Sequence, residues 1–177
     1  MMKGNTLAIV FSAVVMLFSG SVLAEKVKME NVDVLDKRVT LSMPAEFTEM
    51  SEDVMKVKYP LNSRPTQVYT NKETTVNFAF NFTVNKIAES QLDAFAQQMK
   101  TMLANVNPKI SKVKVDGRKA ILFDFVTPAA DTEIHNLMLA TSVDGRLLLT
   151  TFNTTKEQAS EWLEVGRESL LSVKINK

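Results

Sequence analysis

Cysteine is missing from this 177-residue chain, and histidine, tryptophan, glycine and proline are scarce at one, one, five and five residues. Without cysteine there can be no disulfide, no thiolate nucleophile and no thiolate-held metal. A single histidine, His135, excludes paired-histidine metal motifs, and neither an HExxH helix nor an acidic DxDxDG calcium loop occurs. Few glycines leave little material for a phosphate cradle. Two of the five stand in the pairs Asp116-Gly117 and Asp144-Gly145, and Gly166 lies on the apolar stripe of a C-terminal helix, where it permits close approach to a strand. An excess of one charge is absent too. With 21 Lys and Arg against 20 Asp and Glu, nothing electrostatic favours nucleic acid or an anionic membrane.

What is present begins with a leader. Lys3 precedes the uncharged run Leu7–Phe18, and Val22-Leu23-Ala24 places small residues where signal peptidase accepts them. The pattern predicts cleavage between Ala24 and Glu25, leaving a single domain over 25–177. The apolar run is shorter than the roughly 20 residues a membrane span needs. Losing Lys3 also brings the mature chain to electrical neutrality. An exported domain of this size without disulfides must rest on its hydrophobic core, which suits a bacterial periplasm. The sequons at Asn81 and Asn153 are therefore read as chance.

Hydrophobic periodicity gives the elements. Glu25–Asp36 reads as a lead-in with a short edge strand, and Arg38–Met43 alternates as a strand that Pro44 stops. Glu46–Asp53 reads as a polar connection. Met55–Pro60 and Thr66–Asn71 read as strands, the latter pairing as a hairpin with the Phe-rich segment TTVNFAFNFTV (74–84). Leu92, Phe95, Ala96, Met99, Met102, Leu103 and Val106 form one helical stripe, with Ser90 and Asp93 spaced as a capping box and Pro108 as the stop. Strands follow at 109–115, 119–126, 132–143 and 146–152, two of the connections being Asp-Gly hairpin turns. A last helix from about Thr155 carries Ala159, Trp162, Leu163, Gly166, Leu170 and Val173, capped by Thr155 with Gln158. The KINK terminus reads as frayed. Tight turns between consecutive strands make them antiparallel. The expected class is α+β: an α/β/α sandwich with a mostly antiparallel sheet of six to seven strands and two main helices.

Chemistry is thin. His135 would need an orienting carboxylate, for which Glu133 has the right parity, and a nucleophile that the sequence does not supply. Asp124, Asp131 and Glu133 make a metal site only if the fold gathers them. Ten methionines suggest Cu(I), but they are scattered or lie on the helix stripe, so core packing accounts for them. No cofactor is expected. The aromatic side of 74–84 reads as core beneath the Leu92–Val106 helix, and the C-terminal helix is expected to cover the other side, with Asn77, Asn81 and Thr83 at its margin or in a partly open groove.

The segment VTLSMPAEFTE (39–49), a strand running through Met-Pro into an acidic and aromatic stretch, resembles the opening of DcrB-like members of the PsbP/Mog1 superfamily. The order of elements over 38–175 is similar as well. That resemblance implies an α/β/α sandwich used as a non-enzymatic binding or adaptor module, with no catalytic residues to carry over. The expectation is an exported protein-binding module in the periplasm, for instance an immunity protein against a secreted toxin or an envelope adaptor. A carrier of a small apolar ligand or lipid is the alternative, and a hydrolase using His135 is third. Loops are where a partner is expected to dock, and the candidates are Glu46, Glu49, Glu52, Asp53, Asn62, Arg64 and Asp131.

Overall fold

The computed structural model describes residues 27–59 and 64–176; the expected leader, its expected cleavage site and Asn62 lie outside them. Strand β1 (Met29–Val34) forms a hairpin with β2 (Val39–Pro44), and β3 (Thr48–Glu49) leads into the short helix α1 (Glu52–Lys58). Strands β4 (Gln67–Thr70) and β5 (Asn77–Lys86) pair as expected before α2 (Leu92–Met102). Then come β6 (Lys109–Val115), β7 (Arg118–Pro128), β8 (Glu133–Val143), β9 (Arg146–Thr155), α3 (Ala159–Leu171) and β10 (Lys174–Ile175). Seven strands make one sheet in the order β3-β4-β5-β9-β8-β7-β6, and β1, β2 and β10 make a small second one. Every pairing is antiparallel, and the class is the α+β arrangement expected, with helices on both faces of the large sheet.

The second-half hairpins form for local reasons. Asp116-Gly117 and Asp144-Gly145 both carry positive φ at each residue, the backbone a two-residue turn requires if it is to match strand twist. At its C-terminal end α2 gives way to a single 3-10 turn (Ala104–Val106), and Asn107 then adopts a left-handed conformation ahead of Pro108. At its start Ser90 is not the cap; Gln91 Oε1 accepts the Ala88 N–H instead. Asp93 is drawn away to bridge Lys119 and Lys112 at 2.6 and 3.1 Å, tying the first turn of α2 to β7 and β6. Thr155 likewise makes no side-chain cap ahead of α3.

The Lys119 and then Lys112 ammonium groups hold the Asp93 carboxyl below the usual carboxylate range. Its contribution to stability is therefore present above the ordinary carboxylate pKa and is lost as pH falls through the depressed folded value. Denaturant unfolding of wild type and Asp93→Asn should show the two curves converging as pH is lowered from 5 towards 3.

Four further expectations about the fold need correction. Met55–Pro60 is not a strand: its described part lies in α1 and the residue after it. Ser51 Oγ accepts the Val54 N–H, acids occupy the first turn and lysines the last, which suits the helix dipole. Met55 and Tyr59, spaced i and i+4, pack with Met50, Val68 and Ala79, whereas Val57 is 83% exposed. Glu46–Asp53 is not merely polar, since it buries Phe47 and Met50 and contains β3. The KINK terminus is not frayed up to Asn176. Ile175 is buried and β10 pairs with β2, while Asn176 bonds the Arg38 and Lys37 carbonyls and Thr40 Oγ1.

The fourth concerns what lies under which helix. Phe78 and Phe80 are fully buried, but with Trp162 and Leu170 of α3 and with Leu41 and Met43 of β2, not under α2. Helix α2 covers the other face, where Leu92 and Ala96 meet Ile121, Phe123, Met138 and Ala140. A register shift between Phe82 and Lys86 breaks the alternation of β5, and Val84 ends 84% exposed.

Candidate binding surface

Strand β9 is the central strand of the large sheet, yet only one of its faces is sealed. Leu148, Thr150, Phe152 and Thr154 are fully buried beneath α3 and the small sheet, while Leu149, Thr151, Asn153 and Thr155 are half-exposed on the face carrying α1 and α2. Helix α1 sits over β4 and the start of β5 through Met55 and Tyr59, and α2 packs on β7 and β8. The face of β9 lies between these two covers.

One end of this face is polar. Register aligns Asn77 of β5, Asn153 of β9 and Asn136 of β8 in a single cross-strand row. Asn153 Nδ2 donates to Asn136 Oδ1 at 2.6 Å, and Asn136 Nδ2 donates to the Ile134 carbonyl and to Thr127 Oγ1. Thr70 Oγ1 and Lys58 Nζ both donate to Asn77 Oδ1, at 2.9 and 3.3 Å. Lys58 also donates to the Thr74 carbonyl, and partial burial pulls its ammonium pKa down. The row offers neutral donors and acceptors, suited to holding a polar group rather than to proton transfer.

The other end is apolar. Between α2 and the β5–β9 pair lies a groove of about 530 Å³, within the ordinary range of ligand pockets. Phe95, Met99, Met102, Ile87, Leu147 and Leu149 give it its apolar lining. Met102 is 66% exposed at its edge.

On the opposite face His135 Nε2 meets Asp124 Oδ1 at 2.7 Å, so Asp124 and not Glu133 orients the imidazole. Glu133 instead pairs with Lys156 at 2.6 Å. The second oxygen of Asp124 accepts from Arg167 Nη2 of α3 at 2.7 Å. The residue opposite His135 on β9 is the fully buried Thr154, whose hydroxyl is directed to the Thr155 carbonyl. Asp124 therefore fastens β8 and α3 to β7, and among the described residues no hydroxyl is hydrogen-bonded to the imidazole. Replacing Asp124 by alanine strands a half-buried His and Arg and should cost about 2 kcal/mol, read as a lower denaturation midpoint. Asp124, Asp131 and Glu133 do not converge, and among the described residues no cluster of metal-ligating side chains forms.

The residues expected to meet a partner separate into groups. Glu49 lies on edge strand β3 opposite Tyr69, whose phenol is pushed up first by burial and then by that carboxylate. Glu52 and Asp53 fall in the first turn of α1 and both approach Lys56. Glu46 borders a separate hollow of about 260 Å³ with Asn71, Glu73 and Trp162. Arg64 Nε donates to the Tyr59 carbonyl, and Asp131 is exposed in the β7–β8 connection, on the far side of β9 from β3. The fold thus brings Glu49, Glu52 and Asp53 to one corner and leaves Asp131 elsewhere. Sequence reasoning missed Thr151, Asn153, Asn136, Lys58 and the α2 groove. The one available signal was the polar alternation of Thr151 and Asn153 running past Phe152.

The sequence matches no family model, and no curated protein matches it significantly. Solved structures do share the architecture. The cyanobacterial PsbP (CyanoP) of Synechocystis sp. PCC 6803 aligns over 86% of this chain and 95% of its own, with a TM-score of 0.57 at 11% identity. A Bacteroides thetaiotaomicron VPI-5482 protein aligns over 83% of this chain with a TM-score of 0.53 at 15% identity, and the match spans 48% of that longer chain. LpqN of Mycobacterium tuberculosis, involved in cell envelope biogenesis, aligns over 86% of this chain and 93% of its own, with a TM-score of 0.45 at 10% identity. At its identity the likeness to the cyanobacterial protein is one of fold alone, a PsbP-like α+β arrangement.

Proposed function

We propose that this chain is an exported, non-enzymatic binding module of the bacterial envelope, a DcrB-like variant of the PsbP/Mog1 superfamily that recognises another protein. The observation that carries the reading is the half-open face of β9: a central strand left unsealed, with Thr151 and Asn153 presented between two helices. The leader-like N-terminus supports export, and among the described residues no helix is long and apolar enough to cross a membrane. The Glu49, Glu52 and Asp53 corner supplies acidic side chains near α1 for a basic partner. An immunity role against a delivered toxin is one version, for which a toxin or secretion gene beside this one is the expected sign. The test is affinity capture from periplasm with wild type and a Thr151→Arg/Asn153→Arg variant that keeps its fold. A partner retained equally by both moves binding off β9, and recovery of no partner removes the reading.

A second reading, a carrier of a small apolar ligand, is favoured by the α2 groove. Thermal-shift measurements against a ligand panel test it, because a ligand that binds only the native state raises the midpoint.

A further inference from the structure

We propose that the α2 groove takes a single-chain fatty acid, its alkyl chain lying across Phe95, Met99 and Leu149 and its carboxylate meeting Lys86. This rests on the carrier reading and names its ligand. Along α2 and β9 the lining is apolar apart from Gln98, the neutral polar Thr83, Asn85 and Gln91 stand at its edges, and Lys86 is its single charged side chain. Lys86 is exposed and, among the described residues, makes no ion pair. No carboxylate lines the groove to repel an acid. Flexible thioethers adapt to an alkyl chain of varying kink, and α2 is about 16 Å long at 1.5 Å per residue.

An extended peptide is a poorer occupant. It would need free main-chain partners, yet four main-chain groups of the bulged rim are already engaged. The Thr83 carbonyl accepts from Arg146 Nε and the Asn85 N–H donates to Thr83 Oγ1. The Ile87 N–H donates to the Gly145 carbonyl, and the Ile87 carbonyl accepts from Ser142 Oγ. A saturated chain asks for none of these groups.

The experiment is a fluorescence titration of the purified protein with cis-parinaric acid and with its methyl ester. Saturable binding of the acid is expected. Lys86→Glu should weaken the acid about fivefold, replacing an exposed attraction by a repulsion, and leave the ester unchanged. Met102→Glu should weaken both, and because Met102 is largely exposed the fold should survive, as a circular dichroism spectrum would verify. Ester binding that Met102→Glu weakens, with the acid indifferent to Lys86→Glu, overturns the carboxylate assignment and leaves a carrier standing. Failure of both probes to bind overturns the fatty-acid proposal. The carrier reading falls separately, if the broader ligand panel also gives no thermal shift.

Discussion

Replacing Phe78 by alanine is expected to remove about 4 kcal/mol of stability, the middle of the range for a fully buried phenylalanine. Its ring stands 5.1 Å from that of Phe152 and 5.8 Å from that of Phe47, and Phe47 in turn lies 5.4 Å from Trp162. Removing the ring leaves a cavity that β2, β9 and α3 share, and none of these can close it without moving the others. Phe82, on the same side of the same strand, should behave differently. It is half-buried, with the Arg146 guanidinium 3.9 Å from its centroid. Its alanine variant should lose about 1–2 kcal/mol, the cation–π contact and part of the ring's burial. Urea denaturation of the two variants measures the contrast, and equal losses would show that α3 does not distinguish the two positions.

Gly166→Ala is expected to cost about 3 kcal/mol and lower the midpoint of thermal unfolding by roughly 6–12 °C. A Cβ at Gly166 would lie 2.4 Å from carbons of the Phe152 ring, well inside contact distance. Phe152 cannot yield, because it is fully buried against Phe78. Backbone strain is not the cause, so a smaller partner should relieve the clash. Phe152→Leu made together with Gly166→Ala should therefore cost less than the sum of the two single changes, and a double-mutant cycle reads that coupling. Strict additivity would mean that α3 shifts away from β9 at no expense.

The four strands from Lys109 to Thr155 were legible because their signals are local: alternation, and Asp-Gly pairs that dictate the turn. Gly166 was legible for a similar reason, a small residue on an apolar stripe. Alternation in 74–84 shows that one side is apolar but carries no information about which helix covers it, and both helix stripes are amphipathic candidates. Helix α1 was misread because Met55 and Tyr59 satisfy both period 2 and an i, i+4 spacing, and a serine cap decided between them. The candidate surface was harder still. Asn77, Asn136 and Asn153 come from three strands, and only the register sets them side by side. His135 found its carboxylate eleven residues away on a neighbouring strand, not two residues away on its own.

The small sheet sets an order on biogenesis. Strand β2 is flanked on one side by β1, joined to it by a short turn, and on the other by β10, more than 130 residues further along the chain. Closing that contact needs Lys174 and Ile175 in hand, and the cost of the loop is recovered only once α3 has docked. A chain emerging from the ribosome can build hairpins early, but it cannot seal β2 until residue 176 is free. Until then Val39, the partner of Ile175 in that pairing and fully buried in the closed fold, lacks the strand that completes its edge.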